Sequence, residues 1–167
     1  ASSQEMYFGD GAASFLMGTR NVLAECLASH SLSLDFIDHY HGNNAEYDYN
    51  WEERWVRDEG YLKIYPKAIT ELLKKTGVNK ESIAKFIFPC AIPRAQAMIG
   101  NQFGATPDQV ASALYESCGE CGTAHPLLML THELEKAKPG DKMVVAGYGQ
   151  GVDAILLEVT ENITRFS

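Results

Sequence analysis

Two thiols, a carboxylate and an imidazole lie close together in the segment 117–126, which reads SCGECGTAHP. Its candidate catalytic residues are Glu120, Cys121 and His125. A carboxylate or an imidazole can transfer a proton, and a thiol can act as a nucleophile. The segment falls at a predicted junction between a loop and a helix, where backbone N–H groups are free to point into a shared site. We therefore expect a functional site here.

Each candidate has a structural alternative that the sequence leaves open. Glu120 can instead accept backbone N–H bonds at a helix start, and His125 can be a helix-start histidine bound by backbone groups. Cys121 can be a small buried hydrophobic side chain. A helix N-terminus would lower the pKa of the Cys121 thiol, whereas burial would raise the pKa of Glu120.

The pair Cys118-x-x-Cys121 is also compatible with metal or redox chemistry. Zinc sites usually have four protein ligands, and only His125 lies near enough in sequence to join the two thiols. A thioredoxin-type pair would follow a strand and open a helix in a different topology. We therefore expect no metal site and no covalently bound cofactor.

The elements that must position these groups alternate between strands and helices. The patterns predict strands over residues 7–16, 21–33, 84–88, 142–146 and 154–159, and helices over 51–75, 94–103, 107–117 and from Pro126 onward. The first two strands are expected to pair with each other. Pro66 is expected to kink or divide the long helix, and residues 35–50 read as a surface loop. This order predicts an α/β fold with a mixed sheet covered by helices.

Composition limits the class of protein. With 167 residues, 46% of them hydrophobic, and no linker-like run, the chain is expected to form one domain over residues 1–167. A formal charge of −8 disfavours nucleic acid and anionic membranes as partners. No apolar run approaches the roughly 20 residues that span a bilayer, and four scattered cysteines suit reduced thiols. We expect a soluble cytoplasmic protein.

Several short motifs occur in a characteristic order. They are GDGAA at residues 9–13, FIFP at 86–89, GECGTA at 119–124, KPGD at 138–141 and GYGQG at 147–151. Their order and spacing resemble the C-terminal half of thiolase-superfamily condensing enzymes, such as ketoacyl-acyl-carrier-protein synthase III and hydroxymethylglutaryl-CoA synthase. The resemblance implies half of a layered αβαβα architecture, a coenzyme A thioester as substrate, and a nucleophilic cysteine on the N-terminal half.

The chain departs from that family at both expected catalytic positions. The family histidine follows the strand over residues 86–88, where this chain has Pro89 and Cys90, and the family asparagine or second histidine falls at Glu120. A neutral His or Asn donates a hydrogen bond to a developing oxyanion, whereas an ionised carboxylate repels it. Glu120 therefore fits the chemistry only when protonated, or as a base on a carbon acid.

The resemblance also implies the rest of the site. Pro89, Cys90 and Tyr148 would line the substrate pocket, and a backbone N–H of Gly149 or Gln150 would serve as an oxyanion donor. The alternative for this turn is a tight connection between two strands that needs glycine only for its conformation.

Two functions follow. In the first, the chain is the C-terminal half of an acyl-thioester condensing or cleaving enzyme that is inactive without its N-terminal half. In the alternative, it is a degenerate, noncatalytic domain that stabilises a partner subunit. The resemblance implies as partners an N-terminal half or second subunit, further copies in a homo-oligomer of the full enzyme, and an OB-fold protein with a zinc ribbon.

Overall fold

The computed structural model describes residues 7–47, 49–92 and 94–165. The strands are β1 (Ala24–Ser33), β2 (His39–Tyr40), β3 (Tyr49–Asn50), β4 (Ile83–Ile87), β5 (Lys142–Tyr148) and β6 (Gly151–Val159). The α-helices are α1 (Glu53–Trp55), α2 (Leu62–Thr76), α3 (Ala95–Phe103), α4 (Tyr115–Cys118) and α5 (His125–Leu134). A π-helical segment (Val56–Tyr61) precedes α2, and short 3₁₀ turns cover Lys80–Ser82, Pro107–Gln109, Gly122–Ala124 and Glu161–Arg165.

Four strands form one mixed sheet in the order β1-β6-β5-β4. Strand β6 pairs antiparallel with both β1 and β5, whereas β4 and β5 run parallel. Strands β2 and β3 form a separate two-stranded ribbon within residues 35–50. The predicted mixed sheet covered by helices is confirmed.

The sheet is buried on both faces at β5, whereas the edge strand β1 has no fully buried residue. Alternate residues of a strand point to opposite sides. Along β5, Val144 joins the core that α2 and α3 build, whereas Met143 and Val145 join the core that α5 builds. The apolar run of β5 is continuous for this reason. Helices α2 and α3 therefore cover one face of the sheet, and α5 covers the other.

Helix α2 is amphipathic and lies on one face of the sheet. Its buried residues recur at helical spacing: Leu62, Ile64, Tyr65, Ala68, Ile69 and Leu72. Gly77 ends it in the left-handed conformation, with φ of 68°. The helix continues through Pro66, and the irregular part of the predicted long helix is instead the π-helical segment N-terminal to it.

The predicted strand over residues 7–16 is wrong. Within it, Phe8 forms one isolated parallel bridge with Glu120, and most side chains of the segment are exposed. Strand β1 pairs with β6 rather than with this segment. The expectation that other backbone approaches the glycines closely is confirmed, because a Cβ built on Gly9 would lie 1.8 Å from the carbonyl oxygen of Cys118.

The predicted helix over residues 107–117 is also wrong as a single element. Thr106 and Gln109 form a capping box around the first turn. The turn then ends, because Val110 forms a parallel bridge with Phe86 and the Ala111 N–H donates to the Phe86 carbonyl oxygen at 2.9 Å. Pairing with β4 therefore replaces the middle of the helix, and only α4 remains of its second half.

Among the described residues, no helix combines the length and the apolar character that crossing a bilayer requires.

Candidate functional site

The connection between α4 and α5 carries the predicted catalytic residues. Helix α4 ends at Cys118, Gly119 has a positive φ of 68° with ψ of −172°, and the 3₁₀ turn Gly122–Ala124 leads into α5. Gly119 is needed here because its own Cβ would lie 2.8 Å from the Gly9 nitrogen. The connection is thus held between the helix ends and residues 7–11.

His125 is the first residue of α5, at the end of this connection, and is completely buried. Its Nε2 lies 2.6 Å from the Ala113 carbonyl oxygen, and its Nδ1 lies 3.2 Å from the backbone nitrogen of Cys121. A carbonyl only accepts, so Nε2 carries the proton and Nδ1 accepts from the Cys121 N–H. Since both ring nitrogens are bound to backbone groups, this geometry fits a positioning role better than proton transfer to a substrate.

Glu120 is held at both its backbone and its side chain. Its N–H donates to the Tyr7 carbonyl oxygen at 2.6 Å, and its own carbonyl oxygen accepts from the Gly9 N–H at 3.0 Å. Its Oε1 accepts from the Gly122 N–H at 2.9 Å and lies 3.9 Å from His125 Nδ1. The carboxylate therefore caps the 3₁₀ turn, as the structural alternative predicted, and its side chain keeps 17% of its surface exposed.

The two thiols of the connection face backbone carbonyls. Cys118 Sγ donates to the Leu114 oxygen at 3.4 Å, and Cys121 Sγ donates to the Cys118 oxygen at the same distance. Burial raises the pKa of the Cys121 thiol, and the Cys118 thiol and the Glu120 carboxylate raise it further. The prediction that a helix N-terminus lowers this pKa is wrong, because burial and the neighbouring acidic groups outweigh it. The thiol is a poor nucleophile at neutral pH.

Tyr115, the first residue of α4, packs its ring against the imidazole of His125. Its phenol oxygen is buried and has no hydrogen-bond partner among the described residues. Burial raises the pKa of the phenol, and the nearby Glu120 carboxylate raises it further, although the two groups do not meet hydrogen-bond geometry. Tyr115 was not identified from the sequence. The sequence predicted one helix over residues 107–117, whereas Tyr115 in fact begins the short helix α4.

The predicted pocket residues lie at the ends of β4 and β5. The Pro89 carbonyl oxygen accepts from the Tyr65 hydroxyl at 2.9 Å, and the Tyr148 hydroxyl donates to the Phe36 carbonyl oxygen at 3.0 Å. Cys90 is only 5% exposed. Burial raises its pKa to about 12, and the Glu120 carboxylate contributes to that rise. The charge of Glu120 on the α4–α5 connection is therefore close enough to affect the thiol at the β4 end.

Tyr61, Tyr65 and Asp38 belong to this region and were not identified as site residues from the sequence. Tyr61 and Tyr65 lie one helical turn apart, and their rings and that of Tyr148 pack edge to face or tilted, with centroids 4.7–6.0 Å apart. The Tyr61 hydroxyl donates to Asp38 Oδ2 at 2.6 Å. The spacing of Tyr61 and Tyr65 on one helix face was an available signal, whereas the contact with Asp38 spans a long loop and had none.

The glycine-rich turn connects β5 to β6. The Gly149 N–H donates to the Gly151 carbonyl oxygen at 3.0 Å, so of the two predicted oxyanion donors the Gln150 amide fits the role better. A Cβ on Gly147 would lie 3.5 Å from Pro126 Cγ, which places the β5 end beside the start of α5. The turn and the α4–α5 connection therefore lie at the same end of the sheet strands.

An open cleft of about 630 Å³ lies elsewhere, and none of the predicted site residues lines it. Lys85, Asp108 and Glu133 contribute to its walls. Lys85 Nζ donates to the Asp108 carbonyl oxygen at 2.7 Å and lies 3.9 Å from Glu133 Oε2, so its charge is already partnered.

Comparison with known proteins connects this geometry to a family. Residues 73–159 match the family described as 3-oxoacyl-[acyl-carrier-protein (ACP)] synthase III C terminal. The hydroxymethylglutaryl-CoA synthase of Methanopyrus kandleri is 26% identical over 156 residues, which are 92% of this chain and 44% of that protein. The chain therefore spans less than half the length of the curated relatives it matches.

Solved structures show the same fold. An HMG-CoA synthase complexed with CoA superimposes with a TM-score of 0.72 and 19% identity, over 85% of this chain and 41% of that one. The 3-oxoacyl-(acyl carrier protein) synthase III of Pseudomonas aeruginosa PAO1 gives a TM-score of 0.68 and 18% identity, over 81% of this chain and 44% of that one. The fold is thiolase-like, and the chain belongs to the 3-oxoacyl-[acyl-carrier-protein (ACP)] synthase III C-terminal family, the C-terminal half of thiolase-superfamily condensing enzymes.

Proposed function

We propose that this chain is the C-terminal half of an acyl-thioester condensing or cleaving enzyme and acts together with an N-terminal half that carries the nucleophilic cysteine. Its family membership and its alignment with less than half of each hydroxymethylglutaryl-CoA synthase relative support this assignment. The reaction forms or breaks a carbon–carbon bond next to a thioester.

The proposed substrate is a coenzyme A thioester. Two curated relatives whose alignments cover 92% of this chain are named hydroxymethylglutaryl-CoA synthase. A solved structure with the same fold is an HMG-CoA synthase complexed with CoA. The N-terminal half, as a fused segment or a second subunit, would contribute the remaining surface of the site.

The position of Glu120 is the observation that carries the proposal. Its carboxylate acts electrostatically on Cys90 at the β4 end, on Tyr65 of α2 and on Tyr115 of α4. The charge of Glu120 therefore acts on groups from three elements, and the family resemblance places an asparagine or histidine at its position. Perturbed titratable groups that gather in this way are typical of active sites.

Glu120 is proposed to act as a general base. In condensation, its carboxylate takes a proton from the α-carbon of an acyl thioester. That carbon then attacks the acyl group on the nucleophilic cysteine, and the carbon–sulfur bond breaks as the cysteine thiolate leaves. In cleavage, it takes the proton of a β-hydroxyl group as the neighbouring carbon–carbon bond breaks. A carboxylate repels an oxyanion, so the developing negative charge would lie at the Gln150 amide rather than at Glu120.

His125 is proposed to position this base. It anchors the Cys121 N–H and the Ala113 carbonyl oxygen from a fully buried site, and the Glu120 carboxylate lies 3.9 Å from its ring. A fixed second layer of hydrogen bonds keeps a catalytic group within the narrow range of geometry that proton transfer requires. His125 itself is shielded from any substrate by its burial.

Residues 7–17 are proposed to contact the N-terminal half. Four large apolar or aromatic side chains of this segment are exposed: Tyr7 (62%), Phe8 (60%), Leu16 (101%) and Met17 (84%). Apolar side chains presented together on an extended segment are typical of a surface that another polypeptide covers.

The test compares two glutamate substitutions in the complete protein that contains this chain. Glu120→Gln removes the proposed base, whereas Glu116→Gln changes an exposed glutamate on the neighbouring helix α4. Release of free coenzyme A from acetyl-CoA and acetoacetyl-CoA measures condensation, and loss of hydroxymethylglutaryl-CoA measures cleavage. We expect kcat to fall by about 10²–10⁴-fold for Glu120→Gln, the range of general acid–base catalysis, and to stay near wild type for Glu116→Gln. Unchanged turnover in Glu120→Gln would overturn the assignment.

A further inference from the structure

We infer that Cys118, Cys121 and His125 form a binding site for a thiophilic divalent cation, with Zn²⁺ as the best match. The ligand atoms of these three residues all lie within 4.8 Å of one another. The sequence alone favoured no metal because only one histidine lies near the two thiols; the fold brings that histidine into direct reach of both. The inference does not depend on the reaction proposed above.

The orientation of His125 is that of a metal ligand. Nε2 donates to the Ala113 carbonyl oxygen at 2.6 Å, which leaves Nδ1 unprotonated and turned toward the cysteine segment. Histidines that bind metals almost always donate their other ring N–H to a carbonyl or carboxylate in this way. The contact between Nδ1 and the Cys121 N–H, at 3.2 Å, is at the long end of the hydrogen-bond range, so the lone pair loses little by turning to a cation.

The two thiols are available because their present contacts are weak. Cys118 and Cys121 donate to backbone carbonyl oxygens at 3.4–3.6 Å, and each keeps part of its surface accessible. Thiols are weak donors, and these bonds end when a thiolate binds a metal. Partial exposure also gives a cation a path into the cluster.

The fourth position of the site lies toward Glu120. Its Oε1 lies 3.9 Å from His125 Nδ1, so a water held by the carboxylate reaches the same space as the imidazole. Two thiolates, an imidazole and this water complete the four-coordinate set that Zn²⁺ prefers, and the Glu120 carboxylate itself does not bind the metal. Soft sulfur ligands with imidazole select Zn²⁺ over Mg²⁺ or Ca²⁺, which take oxygen ligands.

The segment 9–11 packs closely against Cys118 and Cys121. A Cβ built on Gly11 would lie 2.7 Å from Cys121 Sγ, and one on Gly9 would overlap the Cys118 carbonyl oxygen at 1.8 Å. A side chain at residue 11 would therefore enter the space that the metal ligands occupy. A Cβ on Gly18, in contrast, would meet no atom within 4 Å.

The experiment measures metal on the complete protein purified under reducing conditions. Zinc content after dialysis is determined by mass spectrometry, and Co²⁺ is added to metal-free protein to record the thiolate-to-cobalt charge-transfer band and the strong visible bands of tetrahedral Co²⁺. We expect about one Zn²⁺ per chain at this cluster. Cys118→Ser and Cys121→Ser should each lose the bound Zn²⁺ and the Co²⁺ spectrum, and Cys26→Ser, a control at an exposed cysteine of β1, should keep both.

A glycine pair tests the geometry without changing a ligand. Gly11→Ala should weaken Zn²⁺ binding because its methyl group meets Cys121 Sγ, and Gly18→Ala should bind as wild type does. Circular dichroism of each variant confirms that the fold is kept. Wild-type protein without zinc above the Cys118→Ser/Cys121→Ser background, or a Cys118–Cys121 disulfide found by mass in place of the metal, would overturn the inference.

Discussion

The imidazole of His125 stacks on the phenol ring of Tyr115, with ring centroids 4.7 Å apart and an interplanar angle of 27°. Tyr115 opens α4 and His125 opens α5, so the stack joins the two ends of the connection that carries Glu120 and both cysteines. The two ring nitrogens of His125 form hydrogen bonds to backbone groups of Cys121 and Ala113, and the face of the ring packs on Tyr115. The contact between the two helix starts is therefore made by the aromatic rings, and the Tyr115 hydroxyl takes no part in it.

The first prediction separates the ring of Tyr115 from its hydroxyl. Tyr115→Phe removes a buried oxygen that has no partner among the described residues, so the free energy of unfolding should change by less than about 1 kcal/mol. Tyr115→Leu also removes the stacked ring and should cost a further ~0.5–1.5 kcal/mol. Urea denaturation of both variants measures the difference. A loss above about 2 kcal/mol for Tyr115→Phe would show that the hydroxyl has a partner, such as a bound water.

The second prediction concerns the pH dependence of stability. Burial raises the pKa of the Cys90 thiol from 9.0 to about 12, so the folded protein holds this proton more tightly than the unfolded chain. The contribution to stability is fully present below about pH 9 and is lost as the pH rises toward 12. Stability should therefore fall with increasing pH in this window.

The matched variants for this prediction are Cys90→Ala and Cys26→Ala. Cys90→Ala removes the buried thiol, so the decline of its unfolding free energy above pH 9 should be shallower than in wild type. Cys26 lies exposed on β1, and its replacement should leave the slope unchanged. Urea denaturation across the alkaline range gives both slopes, and the slope rather than the absolute stability is compared, because Cys90→Ala also removes packing. Equal slopes in Cys90→Ala and wild type would contradict the prediction.

Local patterns were sufficient for the sheet strands and for most helix ends. The continuous apolar run of β5 and the left-handed glycines after α2 and α3, Gly77 and Gly104, are consequences of nearest neighbours in the sequence. The spacing of Glu120, Cys121 and His125 also predicted correctly that they share one connection. Such features need no knowledge of distant residues.

The wrong strand and the wrong helix both result from pairing between distant segments. Residues 7–16 have strand-like composition, but a strand requires a neighbour, and β1 takes β6 instead. The helix expected from Pro107 begins correctly and stops where Val110 meets Phe86. The contributions of Tyr61, Tyr65 and Tyr115 to the site arise in the same way, because each comes from an element whose position is fixed only by tertiary packing.

The last prediction tests the glycine-rich turn. Gly151 has φ of 123°, and a Cβ built there would lie 1.9 Å from the Leu32 carbonyl oxygen of the paired strand β1. Gly151→Ala should cost about 1–3 kcal/mol, since the backbone is held by the β1–β6 register and cannot move aside. In Gly149→Ala the methyl group meets no atom within 4 Å, so the change should stay within about 0.5 kcal/mol. Thermal melts separate them, because each kcal/mol shifts Tm by roughly 2–4 °C in a chain of this size. A wild-type Tm for Gly151→Ala would mean that the turn can be rebuilt, and the Gln150 amide would then have no fixed place from which to meet an oxyanion.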